Sequence, residues 1–126
     1  MVQLCPCGSQ KEFAACCEII HQNPSQASSA QELMRARYAA FCTHHIDFLY
    51  NSTHPQTRRF HNKKDIQQYA TESKWMFLEI IASSKNTVEF KAHYMDKDLN
   101  VIVHHEKSNF KQLNGTWYYL DGRILS

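Results

Sequence analysis

Four cysteines crowd the first seventeen residues, as Cys5-Pro6-Cys7 and then Cys16-Cys17. Nothing else in the chain restricts its fold as strongly. Four thiols is the number that one tetrahedral zinc takes in a closed structural site. Pro6 fixes φ between the first two thiols, and Gly8 permits a tight turn behind them that turns backbone amides toward sulfur. Ser9 with Glu12 spells S-x-x-E, a pattern that caps a helix N-terminus. On a helix begun there, Phe13, Cys16, Cys17 and Ile20 fall at i, i+3, i+4 and i+7, so one face carries both late cysteines and two apolar residues. A disulfide framework fits less well. No secretory leader is read at the N-terminus, and the five cysteines are an odd count. Neighbouring Cys16 and Cys17 would bridge each other only with strain. A redox dithiol at Cys5 and Cys7 would leave the other pair unexplained. A segment of about twenty residues is too short to fold on apolar burial, so metal binding would be its folding free energy.

The rest of the 126-residue chain is large enough for one ordinary domain. Two Trp, six Tyr and seven Phe supply a core. No apolar run approaches the roughly 18–20 residues of a membrane-spanning helix. With neither a leader nor a disulfide pattern, a cytoplasmic protein is expected. The net charge of +2 and the short pairs Arg58-Arg59 and Lys63-Lys64 leave at most a weak patch for RNA or ribosome. Sequence-specific nucleic-acid binding is not expected from so small a basic excess.

The polar segment QNPSQASSA, after His21, reads as a linker. It separates a module over residues 1–22 from a domain over residues 30–126. Ser29 with Glu32 forms a second capping pattern, which predicts a helix from Ala30 to His45. Met34, Tyr38, Phe41 and His45 lie on its apolar stripe. Cys42 falls beside that face and reads as a buried free thiol. A short helix over Ile46–Tyr50 should end before His54-Pro55, since a residue preceding proline is pushed out of the α region. Asp65 can cap a further helix over Ile66–Glu72. From Lys74 the period changes to two, with Val88, Phe90, Ala92 and Tyr94 on one face and Glu89, Lys91 and His93 on the other. Asn114-Gly115 signals a type I′ hairpin. Helices followed by four strands predict an α+β fold with helices packed on one face of an antiparallel sheet.

The pattern C-x-C-G-S-x6-C-C-x3-H resembles the SEC-C motif, the zinc knuckle known from the tail of the SecA preprotein translocase. The resemblance implies one structural zinc ion on Cys5, Cys7, Cys16 and Cys17. His21, one helical turn on, stays open as a replacement for Cys17. The order CPCGS…CC, ELMRARYAAF, STHP, WMFLEI, VEFKAHY, HHEKSNF and NGTWYYLDG is similar to the YchJ-like proteins of bacteria over nearly the whole chain. That family resembles the nuclear transport factor 2-like fold, a cone of helices closed by a curved sheet. Many of its members carry a second SEC-C motif at the C-terminus; this chain shows one.

Such a cone implies a pocket between its helices and the concave sheet face, with Tyr38, His54, Trp75, Tyr94, His105 and Trp117 as candidate lining. Aromatic residues at these periods are more often core than pocket. In His104-His105-Glu106, His104 and Glu106 share a strand face and His105 takes the other. An acid–base pair and a solvated ion pair both fit; the ion pair is the commoner outcome on exposed strands. Arg35 and Arg37 read as a solvated helix face, with an anion at the cone mouth as the alternative. Doublets such as His104-His105 offer a given ion only one ligand, so no second metal is expected. There is no Gly-rich phosphate loop and no G-x-S-x-G elbow.

Three functions follow as expectations. The first is a non-catalytic adaptor, its knuckle meeting a protein partner or the ribosome through Val2, Leu4, Lys11, Phe13 and Ile20. In translocases the SEC-C module is associated with such contacts. The second is a small-ligand binder or enzyme that uses the cone; the fold alone decides neither. The third is a redox switch in which oxidation of Cys16 or Cys17 ejects the metal. A cone with an exposed sheet often dimerises, and a dimer is allowed for without a residue that fixes it.

Overall fold

The computed structural model describes residues 3–125. Among them the chain forms α1 (Cys17–Gln22), α2 (Ala30–Thr43), α3 (Ile46–Asn51), α4 (Pro55–Arg58) and α5 (Lys63–Glu72), then β1 (Lys74–Ser83), β2 (Thr87–Met95), β3 (Val101–Leu113) and β4 (Thr116–Ile124). The strands make one antiparallel meander in the order β1-β2-β3-β4. This is the expected α+β architecture, with the helices on one face of the sheet.

The long helix α2 is the spine. Ser29 caps it, its hydroxyl accepting from the Glu32 amide at 3.1 Å. Glu32 in turn accepts from the Ser28 hydroxyl at 2.6 Å. Three small residues, Ala36, Ala39 and Ala40, are wholly buried and let neighbouring elements approach closely. Leu33 and Tyr38 are buried with them, each a contribution of about 1.5–3 kcal/mol over an exposed position. The helix ends at Thr43, short of His45. His44 adopts φ 61°, a left-handed cap, and His45 becomes the residue preceding α3. His45 therefore leaves the apolar stripe on which its spacing placed it.

Two other helix starts differ from their sequence patterns. Ser9 caps nothing: its hydroxyl lies 3.2 Å from Cys16 Sγ. The chain makes one 3₁₀ turn at Phe13–Ala15, breaks at Cys16 (φ −131°, ψ −109°), and begins α1 only at Cys17. At α5 the cap is Asn62, which accepts from the Asp65 amide at 2.8 Å.

The sheet curves. Register shifts interrupt β1 between Trp75 and Phe77 and between Ile80 and Ala82, and β4 at Leu120, between the partners of Asn109 and Phe110. Bulges of this kind bend a strand and increase its twist. Asn114 and Gly115 have φ 53° and 81°, the paired positive values that a type I′ hairpin requires. Across the β2–β3 pair, Val88, Phe90 and Ala92 face Ser108, Glu106 and His104. The inner face of the sheet is thus apolar on β2 and polar on β3.

The N-terminal segment does not stand apart. Cys5, Cys7, Cys17 and Ile20 belong to the same buried cluster as Leu33, Tyr38, Leu49 and Phe90. Phe13 packs against that cluster half-buried. Leu4 is exposed. Val2 lies outside the described residues.

Candidate metal centre and cone cavity

The knuckle is built from short-range hydrogen bonds. Cys5 N–H donates to the Lys11 carbonyl at 2.8 Å, and Phe13 N–H to the Gln3 carbonyl at 2.9 Å. Gly8, at φ 85°, reverses the chain and donates to the Cys5 carbonyl. From α2, Arg35 Nη1 donates to the Cys7 carbonyl at 2.7 Å and ties the turn to the spine.

These constraints bring the sulfurs of Cys5, Cys7, Cys16 and Cys17 within 4.8 Å of one another. Cys7 Sγ lies 3.7 Å from Cys16 Sγ, and Cys16 Sγ lies 3.9 Å from Cys17 Sγ. A tetrahedron with metal–sulfur bonds of about 2.3 Å has edges of about 3.8 Å. The spacing therefore fits one S4-coordinated ion. Cys5, Cys7 and Cys17 are buried and Cys16 sits at the rim. As bare thiols the buried ones conflict: Cys7 is driven toward the thiolate by hydrogen bonds from Cys17 and Cys5, while Cys17 is pushed the other way by its hydrogen bonds with Cys5 and Cys7. A divalent cation removes that conflict by accepting four thiolates at once.

His21 is not part of this group. Its Nε2 lies 2.7 Å from the Ala36 carbonyl, so Nε2 carries the hydrogen. Nδ1 is buried with no partner among the described residues. The ring packs against His45 and Phe48 at 4.7 Å. Cys42 is half-buried, its thiol pushed up to about 11 by burial.

The second constellation is a cavity of about 290 Å3 between α2, α5 and the concave sheet face. One wall is aromatic. The rings of Phe41, Tyr69 and Trp75 meet one another at centroid distances of 5.2–5.6 Å. The floor is polar and comes from β3, β4 and α2. Glu106 accepts from His104 Nε2 at 2.7 Å, Ser108 Oγ at 2.5 Å and Tyr119 Oη at 3.1 Å. Burial alone would raise its pKa, yet the donors from His104 and Ser108 outweigh burial and hold it below the usual carboxylate value. Arg37 is 8 % exposed, and its guanidinium lies 4.4 Å from the Tyr119 ring centroid. Burial lowers its pKa to about 10, which leaves it charged at neutral pH.

Two matches to known proteins bear on this arrangement. Residues 3–19 match the SEC-C motif, and residues 29–122 match the family described as YchJ, middle NTF2-like domain. The chain belongs to the YchJ family. A UPF0225 protein of Geobacter sulfurreducens is 36 % identical over 97 % of this chain and 80 % of its own length. One from Photorhabdus laumondii is 38 % identical over 97 % and 81 %. Among solved structures, a SEC-C motif containing protein from Rhodopseudomonas palustris aligns with TM-score 0.88 and 29 % identity, covering 98 % of this chain and all of the other. One from Psychrobacter arcticus aligns with TM-score 0.80 and 30 % identity, covering 98 % and 84 %. The YchJ domain is the NTF2-like cone expected from the sequence.

The structure sorts the candidate pocket residues unevenly. Tyr38 and Trp75 line the cavity of this YchJ-family cone; His54, Tyr94, His105 and Trp117 do not. His54 caps α4, its Nδ1 accepting from the Gln56 amide at 3.0 Å. Tyr94 stacks behind Trp75 at 4.9 Å. Trp117 is buried in the core. His105 points to the outer sheet face and pairs with Glu89 at 2.8 Å. The cavity face of the doublet belongs to His104 instead, and the His104–Glu106 pair sits in the cavity wall, not on a solvated face. Arg35 and Arg37 are not a solvated helix face either: one holds the knuckle and the other is buried in the cavity. Glu106, Ser108 and Tyr119 were missed as one network. Glu106 and Ser108 share a period-two face with His104 on β3, opposite three apolar residues of β2; Tyr119 comes from β4 and carries no such signal.

Proposed function

We propose that this chain is a zinc-stapled binder of small ligands, with the cone cavity as its working site. The observation that carries this reading is the make-up of the cavity, in which an aromatic wall faces a hydrogen-bonded floor holding Arg37 and Glu106. Concave, mostly apolar sites with a few convergent polar groups are where small molecules bind. Zinc is the ion assigned to the four thiolates, since a closed tetrahedral S4 set is a structural zinc site. It supplies no chemistry to the cavity; it holds the N-terminal segment against α2. Five free thiols suit a reducing compartment, and we place the protein in the cytoplasm.

The test is a fragment screen by NMR on the full chain as purified, with metal content measured in parallel. Fragments that shift the Trp75 indole and backbone amides of Phe41 and Glu106 would support the reading. Shifts scattered over the outer surface, or none, would overturn it.

A second reading, an adaptor, has support at the knuckle. Leu4 is 57 % exposed and Ile19 is 44 % exposed, with Lys11 also open to solvent. Ile20 is buried and Phe13 half-buried, so they serve packing instead. Capture of a protein or ribosomal partner by the wild type, but not by Leu4→Ser with Ile19→Ser, would favour this reading. Identical capture would sink it.

A further inference from the structure

Among the described residues Arg37 is the one guanidinium set into the cavity, and half of it is idle. Its Nη1 is fully spent: it donates to the Leu49 carbonyl at 2.9 Å and to Ser52 Oγ at 2.6 Å, with Thr53 Oγ1 at 3.5 Å. Nε and Nη2 have no protein acceptor among the described residues. No carboxylate of those residues stands within ion-pair distance of Arg37. Glu106, the acid that shares the floor, is already held by His104, Ser108 and Tyr119. The ring of Tyr119 covers one face of the guanidinium, and the Nε–Nη2 edge is left to meet a ligand. Glu106 favours the guanidinium's charge from a distance without touching it, and a buried cation lacking a contacting counter-ion is costly.

We propose that the cavity takes a small organic monocarboxylate. Its carboxylate meets the free Nε–Nη2 edge of Arg37, and its apolar body lies against Phe41, Tyr69 and Trp75. The Nε–Nη2 edge presents two parallel N–H groups, the spacing that a carboxylate accepts side-on. A cavity of about 290 Å3 is roughly twice the 150 Å3 space that holds benzene, so the ligand has on the order of a dozen non-hydrogen atoms. One free cation beside an ionised Glu106 suits a single negative charge and disfavours a dianion such as a phosphomonoester. This inference rests on the reading of the cone as a ligand site, and it names the ligand's class.

The experiment titrates the full chain with matched pairs: phenylacetate, 3-phenylpropanoate and hexanoate, each beside its primary amide. NMR follows the Arg37 side-chain Nε–H and the Trp75 indole N–H. The acids should bind saturably and at least about tenfold more tightly than the amides, as a charge-assisted pair requires. Acids and amides binding equally would overturn the carboxylate proposal and leave the cavity reading standing. If neither set moves these two signals, both fall. In a folded Arg37→Met variant the acids should lose their advantage while amide binding is unchanged. Arg37→Met also removes the contacts to Leu49 and Ser52, so the acid–amide comparison on wild type decides the matter if that variant does not fold.

Discussion

Gly122 lies directly against the carboxylate of Glu106, and a Cβ at that position would overlap Oε2 and crowd the Tyr119 hydroxyl. The glycine is there for space, since its φ is not in the left-handed region. It lets β4 pass close enough for Tyr119 to donate to a carboxylate on β3. Gly122→Ala should therefore push Glu106 away from Ser108 and Tyr119. The expected cost is about 1–3 kcal/mol, the usual penalty of overpacking. Thermal melts of Gly122→Ala, Glu106→Ala and the double variant test this. Because Glu106→Ala opens the contested space, the double should lose clearly less than the sum of the singles. Strict additivity would refute the contact.

Metal removal should melt the whole protein as one unit. The buried cysteines and Ile20 share a cluster with Leu33 and Tyr38, so the knuckle and the cone have a common core. Structural zinc sites contribute roughly 10–16 kcal/mol of apparent binding energy, comparable to a domain's total stability of about 5–15 kcal/mol. Cys7→Ser, or a strong chelator, should give a single transition at a markedly lower temperature. Two separate transitions in calorimetry, with the upper one unchanged, would show instead that the cone folds without its staple.

Arg35 fixes the Cys7 carbonyl, so it should tune any metal the four thiols hold. Outer-shell partners of this kind typically tune metal affinity by about 10–100-fold. Arg35→Ala should weaken metal retention in chelator competition by an amount in that range while the far-UV circular dichroism stays native. Arg35→Lys keeps the charge but not the geometry and should fall between. Unchanged metal affinity in Arg35→Ala would show that the contact only trims the surface.

Acid should destabilise the fold in part through His21, which shares the direction of its shift with His54 and His61. Burial lowers its pKa below the ordinary 6.5, and the hydrogen bond to Ala36 only partly offsets this. The unfolded chain then binds a proton that the folded chain resists. The neutral ring's contribution is complete above pH 6.5 and declines as pH falls below it toward the folded value. Melting temperatures of wild type and His21→Phe, compared between about pH 5 and 8, isolate the effect from acid release of the metal, which both share. Wild type should lose stability more steeply below pH 6.5. Parallel curves would remove His21 from the account. Glu106 acts lower: its depressed pKa stabilises the fold above the ordinary 4.5, and that contribution is lost as pH falls through the folded value.

The cysteine cluster and the strand order were legible because both are local. Cys5-Pro6-Cys7-Gly8 fixes a turn within four residues, and Asn114-Gly115 fixes a hairpin within two. The α5 cap was misplaced by three residues, since Asn62 and Asp65 are both competent caps and only one lies where the chain turns. His21 could not be told from a ligand by spacing. The break at Cys16 rotates α1 so that His21 faces Ala36 and Phe48, and a helix drawn from Ser9 has no such break.

By itself the sequence determined what is local: four thiols close in the chain, the helix-then-strand order, and strands of period two on which His104 and Glu106 share a face. Only the tertiary structure decided where a void remains and what faces it. Trp75 and Trp117 both stand on strands, yet one lines the cavity and the other is buried in the core. Arg37 looks like any helical arginine until α3 takes its Nη1 and Tyr119 covers its face. A cavity is the space left where α2, α5 and a bulged sheet fail to meet. Its lining depends on packing distances between elements far apart in sequence, which no local pattern records.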